Sequence, residues 1–238
     1  MTILQVCQQA AIKLNQPQPT SVFSPTTGAA FAAELLLAAQ ETAESLVEEE
    51  HDWRALTQMA TCQGDGTTTV FPLSDVAPGY NRVIKDGKVH SLRFKNATFR
   101  WAKDLDEWLF IKDNLLVGSP GNVVILNNAI QIFPAMPASD TGRFFYISNL
   151  YAISADGTSQ AFFQADNDTF ALDEKLLRLG IVWRWRSSKR MEYAEDLKNY
   201  EIAKDSAIGF DKGNQMIVVG RERVRHGQQI AYPAMLGS

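Results

Sequence analysis

The sequence is short of the residues that mark chemical sites. Its 238 residues include two cysteines, Cys7 and Cys62, and three histidines, His51, His90 and His226. Two cysteines are too few for a disulfide scaffold, and neither sits among residues at zinc-ligand spacing. They are expected to be reduced, partly buried thiols. Basic excess is lacking too: 23 Lys and Arg stand against 27 Asp and Glu, a net charge of -4. A surface of that balance does not grip phosphate as a whole. Long apolar runs are missing; Leu35–Ala39 is bounded by Glu34 and Glu41 and is too short to span a bilayer. Met1–Leu14 has neither the basic start nor the cleavage site of a secretory signal, so a cytoplasmic protein is expected.

Catalytic motifs are equally thin. Gly64-Asp65-Gly66-Thr67 lacks the Lys and spacing of a phosphate loop, and no Gly-x-Ser-x-Gly elbow occurs. Asp166-Asn167-Asp168 begins like a calcium loop, but Ala171 and Leu177 occupy the glycine and closing-glutamate positions. A turn before a helix is the reading there. Asp104, Asp106 and Glu107 supply carboxylates of the kind a glycan hydrolase needs, with no supporting motif around them. No metal, no cofactor and no enzymatic activity are expected.

What is present is helical pattern at both ends. In Phe170–Lys212, Leu172, Leu176, Leu177, Leu179, Ile181, Trp183 and Trp185 make a broad apolar face, opened by Asp173-Glu174 and closed by Arg186, Lys189 and Arg190. After a Ser-Ser-Lys-Arg break, Tyr193, Leu197, Tyr200, Ala203 and Ala207 define a second helix. Thr2–Leu14 carries the stripe Ile3, Leu4, Cys7, Ala11, Leu14 and ends before Pro17. Thr26–Asp52 reads as a long helix capped by Thr26 or Thr27, with Phe31, Leu35, Ala38, Thr42 and Leu46 in register. Its seven acidic residues, including Glu41, Glu44 and Glu48, meet no Lys or Arg between Gly28 and Asp52. Such a run is either a solvated face or a surface for a basic partner.

Between these helices the pattern changes to short strands and tight turns. Thr67–Phe71, Arg82–Ile84 with Val89–Leu92 about Asp86-Gly87, Asn122–Leu126 with Ala129–Phe133 about Asn127-Asn128, and Arg143–Ile147 read as strands, the two pairs as hairpins. The expected class is α+β: a helical bundle built from both chain ends (1–54 and 169–212), a β-rich insertion (55–168) shaped as a small barrel or sandwich, and an extended C-terminal arm (213–238). The arm alternates Arg221, Arg223 and Arg225 with other residues, then runs apolar through Ile230, Tyr232, Pro233, Met235 and Leu236. A tail of this composition is expected to dock on another subunit.

Three stretches carry a family resemblance: Glu49-Glu50-His51-Asp52-Trp53-Arg54-Ala55-Leu56 at the end of the N-terminal helix pair; Thr61–Leu73; and Asp173–Asp211, with Leu179-Gly180-Ile181-Val182-Trp183-Arg184-Trp185 and Tyr193-Ala194-Glu195-Asp196. With them the chain resembles the head-to-tail adaptor (connector) proteins of tailed bacteriophages, which dock beneath the portal ring. The resemblance implies a homo-oligomeric ring, a dodecamer, in the virion neck, assembled in the host cytoplasm. It implies an arm reaching the portal protein, a tail or stopper protein on the other side, and passing double-stranded DNA in a channel without sequence-specific binding. On that basis Phe31, Leu35, Trp183, Trp185, Tyr193, Leu197 and Tyr200 are assigned to ring packing, and Glu41, Glu44 and Glu48 to an acidic channel or interface face. The alternative is a tail or baseplate component whose β insertion binds other tail proteins or a glycan. Exposure of Trp101 and Trp108 would favour it.

Overall fold

The computed structural model describes residues 1–49, 51–84, 87–91, 98–114 and 121–211. The protein is mixed α+β, with 41 % of residues helical and 23 % in strands. The stretch 213–238, with every residue assigned to the docking arm, lies outside the described residues, as does Glu50.

Helix α1 (Ile3–Lys13) starts with a capping box: Thr2 accepts from the Gln5 backbone N–H, and the Gln5 side chain accepts from that of Thr2. Helix α2 (Ala29–Glu48) is not capped by either expected threonine; Gly28, at φ 66°, forms its N-cap. A left-handed residue turns the chain into the helix more tightly than a threonine side chain could allow. Helix α5 (Glu174–Ser188) is capped by Asp173, which accepts from the Lys175 N–H. Arg190, at φ 55°, reverses the chain before α6 (Ala194–Asp211). These four helices share one apolar cluster that runs from Ile3 and Cys7 through Leu35, Ala39 and Leu46 to Leu177, Ile181 and Tyr200.

Helices α2 and α5 cross closely. A Cβ built on Gly180 would stand 2.1 Å from Thr42 Cγ2. Thr42 is fully buried there, its hydroxyl donating to the Ala38 carbonyl at 2.7 Å. Trp53 closes the end of α2 by donating from its indole nitrogen to the Leu46 carbonyl at 2.9 Å.

The second cluster lies inside a nearly closed eight-stranded sheet. Its strands are β1 (Thr57–Gln63), β2 (Val70–Pro72), β3 (Tyr80–Val83), β4 (Val89–Ser91), β5 (Thr98–Trp101), β6 (Asn122–Leu126), β7 (Ala129–Phe133) and β8 (Thr141–Ser148), in the order β1-β8-β4-β5-β6-β7-β2, with β3 also on β8. Only the β5–β6 pair is parallel. Strand β8 is the spine. Gly142, Phe144 and Tyr146 point inward, while Arg143 and Phe145 point out. The short helix α3 (Leu73–Val76) and helix α4 (Leu105–Asp113) interrupt the strand run.

One expected hairpin forms: β6 and β7 pair about Asn127 and Asn128, both at positive φ (53° and 55°), the geometry of a type I′ turn. The other does not. β3 pairs with Tyr146–Ser148 and β4 with Gly142–Arg143, both antiparallel to β8. The two segments therefore lie one after the other along β8 instead of pairing with each other, and Asp86 of the expected turn lies outside the described residues. A long central strand satisfies both segments where a two-residue turn would have satisfied only their own edges.

A small three-stranded sheet follows: β9 (Ala152–Ile153), β10 (Ser159–Gln160) and β11 (Thr169–Phe170), with β9 central. Expected within the β insertion, this segment packs Tyr151, Ala152, Phe163 and Phe170 into the helical cluster. Tyr151, Phe163 and Phe170 form a mutual ring cluster with centroids 5.6–6.4 Å apart. Leu56, Ile147, Tyr151, Ala152 and Phe163 thus contribute to the core of the helices.

Candidate functional site

The residues assigned to ring packing come together, but largely within their own chain. Leu35 has no exposure, and Tyr200 retains 4 %. Phe31 meets Trp185 edge-on at 5.7 Å, and Trp183 contacts Tyr193 at 6.5 Å and Tyr200 at 6.1 Å. Leu197 is half-buried against the same cluster. Tyr193, at 38 % exposure, has the most free surface of the seven; elsewhere on the helical body Ile12, Leu37, Met191, Ile202 and Phe210 are exposed.

The acidic run on α2 divides into paired and unpaired parts. Glu34 accepts from Lys189 Nζ at 2.6 Å and from the Trp185 indole N–H at 2.9 Å. Those bonds, the lysine's first, hold its carboxyl below the ordinary glutamate value despite some burial. Glu41 faces Arg184 at 3.7 Å, and Glu49 accepts from Lys204 at 3.0 Å. These residues clamp α2 to α5 and α6. Glu44 and Glu48, one turn apart and both exposed, have no ion-pair partner among the described residues.

Glu44 and Glu48 line a cavity of about 400 Å³ with Tyr80, Asn81, Tyr151 and Phe162. It sits where α2, β3, the turn after β8 and the β10–β11 connection meet. Tyr151 is 2 % exposed, and its hydroxyl has no hydrogen-bond partner among the described residues. Burial, with a contribution from the Glu44 charge, pushes that hydroxyl well above the ordinary tyrosine value. It is a neutral hydroxyl beside carboxylates. The sequence signalled Glu44 and Glu48 through the lack of basic neighbours; nothing in it signalled Tyr151, which lies about a hundred positions away.

Two of the three carboxylates weighed for glycan cleavage, Asp104 and Glu107, have structural work, and Asp106 is exposed. Asp104 caps α4 by accepting from the Glu107 N–H at 2.7 Å, while Glu107 accepts from the Lys103 N–H and pairs with Arg100. Asp168 accepts from the backbone N–H groups of Gln164 and Ala165, and Asp166 from that of Val22 at 2.8 Å. The carbonyls of Asp168 and Asp166 receive the N–H groups of Ile3 and Leu4. That turn anchors the start of α1. Burial pushes the Cys7 and Cys62 thiols up to about 12, far from thiolate reactivity. No group of three or more His, Cys, Asp or Glu among the described residues is placed to hold a metal ion. No helix among them is long and apolar enough to cross a membrane.

Trp108 is buried at 2 % exposure, and Trp101 is half-buried with its indole donating to the Gly87 carbonyl at 3.0 Å. The burial of Trp108 leaves it without an exposed ring for a sugar to stack on. In the inserted sheet and its helices, Leu105, Leu109 and Phe110 of α4 are exposed, as are Met59, Val70 and Phe145 on the strands.

In comparison with known proteins, no family model and no curated protein matches the chain.

Proposed function

We propose that the chain is a structural protein of the neck of a tailed bacteriophage, forming a homo-oligomeric ring, a dodecamer, between the portal and the tail and lining the DNA channel. In this reading α1, α2, α5 and α6 are a helical bundle made from both chain ends, and the arm at 213–238 anchors the ring to the portal protein. The other side receives a tail or stopper protein. The protein acts by assembly, without turnover and without a cofactor.

The observation that carries the reading is the sharing of one apolar core by residues 3–47 and 172–203, with an eight-stranded sheet and its own core inserted between them. That division supports the layout the resemblance implies, helices that pack side by side with a β-rich insertion between them in the chain. The unpaired Glu44 and Glu48 suit a wall that repels DNA phosphate. A chain truncated before Gly220 is expected to keep its fold and lose binding to the portal of the same source. Normal binding by the truncated chain would refute the role given to the arm.

A second reading, a tail or baseplate component, is favoured by α4. Its Leu105, Leu109 and Phe110 are each more than half exposed, an apolar strip suited to a protein partner of the inserted domain.

A further inference from the structure

Among the described residues, the cavity between α2 and the sheet holds two carboxylates without an ion-pair partner and one buried hydroxyl without a hydrogen-bond partner. The other groove on α2 differs. Its Glu34 and Glu41 already face Lys189 and Arg184. Glu44 and Glu48 stand at i and i+4, where like charges repel across one helical turn. A single cation between them removes that repulsion. The aromatic rings of Tyr80, Tyr151 and Phe162 complete the lining, and such rings favour a flat guanidinium over a compact ammonium. The Tyr151 oxygen can accept from a guanidinium N–H. The site is therefore built for an arginine side chain.

The chain carries such a group within reach. After Lys212 it has no lysine, but it has three arginines at alternate positions, Arg221, Arg223 and Arg225. The last described residue, Asp211, lies at the cavity's end of α2: its Oδ2 is 2.9 Å from His51 Nε2, and its carboxylate accepts from the Arg54 N–H. His51 is only three positions beyond Glu48. The ten residues from Asp211 to Arg221 can extend over about 33 Å, ample for a return along α2.

We propose that this cavity is the resting seat of the chain's own Arg221–Arg225 stretch, with one arginine held between Glu44 and Glu48 beside Tyr151. Seating the stretch keeps the apolar residues that follow it from premature contacts, and a docking partner releases it. The seat is a property of the free chain and holds whatever the partner is.

An arginine-specific protease tests it on the full-length protein, with cleavage after Arg221, Arg223 and Arg225 followed by mass spectrometry. Where closing outpaces cutting, the rate reports the released population. Cleavage is expected to be at least about fivefold faster in Glu44→Gln/Glu48→Gln than in the wild type. The wild type should lose its protection in about 1 M salt, where screening is strong. A free peptide of the same sequence calibrates the protease in each buffer. Both substitutions are at exposed helix positions, and circular dichroism checks the fold. Equal rates in wild type and variant, or protection indifferent to salt, would overturn the proposal. Protection that rises with protein concentration would overturn it too, by assigning the seat to a neighbouring copy's arm. Because no portal is present, the result is independent of the adaptor reading.

Discussion

At the scale of single residues, Gly180 is the most constrained position. A glycine inside α5 costs about 1 kcal/mol in helix propensity relative to alanine. The close crossing outweighs that cost, since a Cβ at Gly180 would collide with Thr42 Cγ2 at 2.1 Å and its Cβ at 2.9 Å. Gly180→Ala is therefore expected to destabilise the protein by about 1–3 kcal/mol, the usual cost of overpacking a close-packed core. Urea denaturation measures it, and Thr42→Ala in the same chain should recover part of the loss. Unchanged or raised stability would mean that the helices separate freely. The thiols give a second test. With both raised to about 12 by burial, Cys7 and Cys62 should resist a thiol reagent at neutral pH until the protein unfolds. Their burial was legible from the apolar stripe around Cys7. The Gly180–Thr42 contact was not, because the two residues are 138 positions apart and neither is unusual in its own helix.

At the scale of elements, the helices were legible and the partners of the strands were not. A 3.6-residue period names the buried face of α1, α2 or α5 from local sequence alone. A strand period names a face but no neighbour. Hence the Asn127-Asn128 hairpin was read correctly, because its turn chemistry is local, whereas β3 and β4 were paired to each other when both belong to β8. The tight turn before β2 makes a testable element. Asp65 accepts from the Thr67 and Thr68 backbone N–H groups and from the Thr68 hydroxyl. These bonds, the Thr68 hydroxyl's first, hold its carboxyl well below the ordinary aspartate value. A depressed folded-state pKa gives a contribution that is complete above the unfolded value near 3.9 and is lost as pH falls through the folded value. NMR titration of the Asp65 carboxyl should place its midpoint below the ordinary range, with the Thr67 and Thr68 amides moving at the same pH. A midpoint near 3.9 would contradict the turn's geometry.

At the scale of the whole molecule, the mixed α+β class was legible, and the meeting of distant segments at the Glu44–Tyr151 cavity was not. Charge without counter-charge on α2 was visible in the sequence, but the hydroxyl that completes the cavity arrives from beyond the sheet. The helical core consumes most of the aromatic residues that the sequence offered for contacts between copies; among the described residues Met1, Ile12, Leu37, Met191, Tyr193, Ile202 and Phe210 remain as large exposed apolar side chains of that body. These side chains are scattered over three helices and their flanks, so the free protein is expected to be monomeric and the ring to form on the portal. The most direct test is the mass of the purified chain alone and mixed with the portal protein of the same source, followed by imaging of the mixture. The account predicts a mass near the 26.5 kDa of one chain in isolation and a ring of copies on the portal in the mixture. Indifference to the portal at every concentration would contradict it.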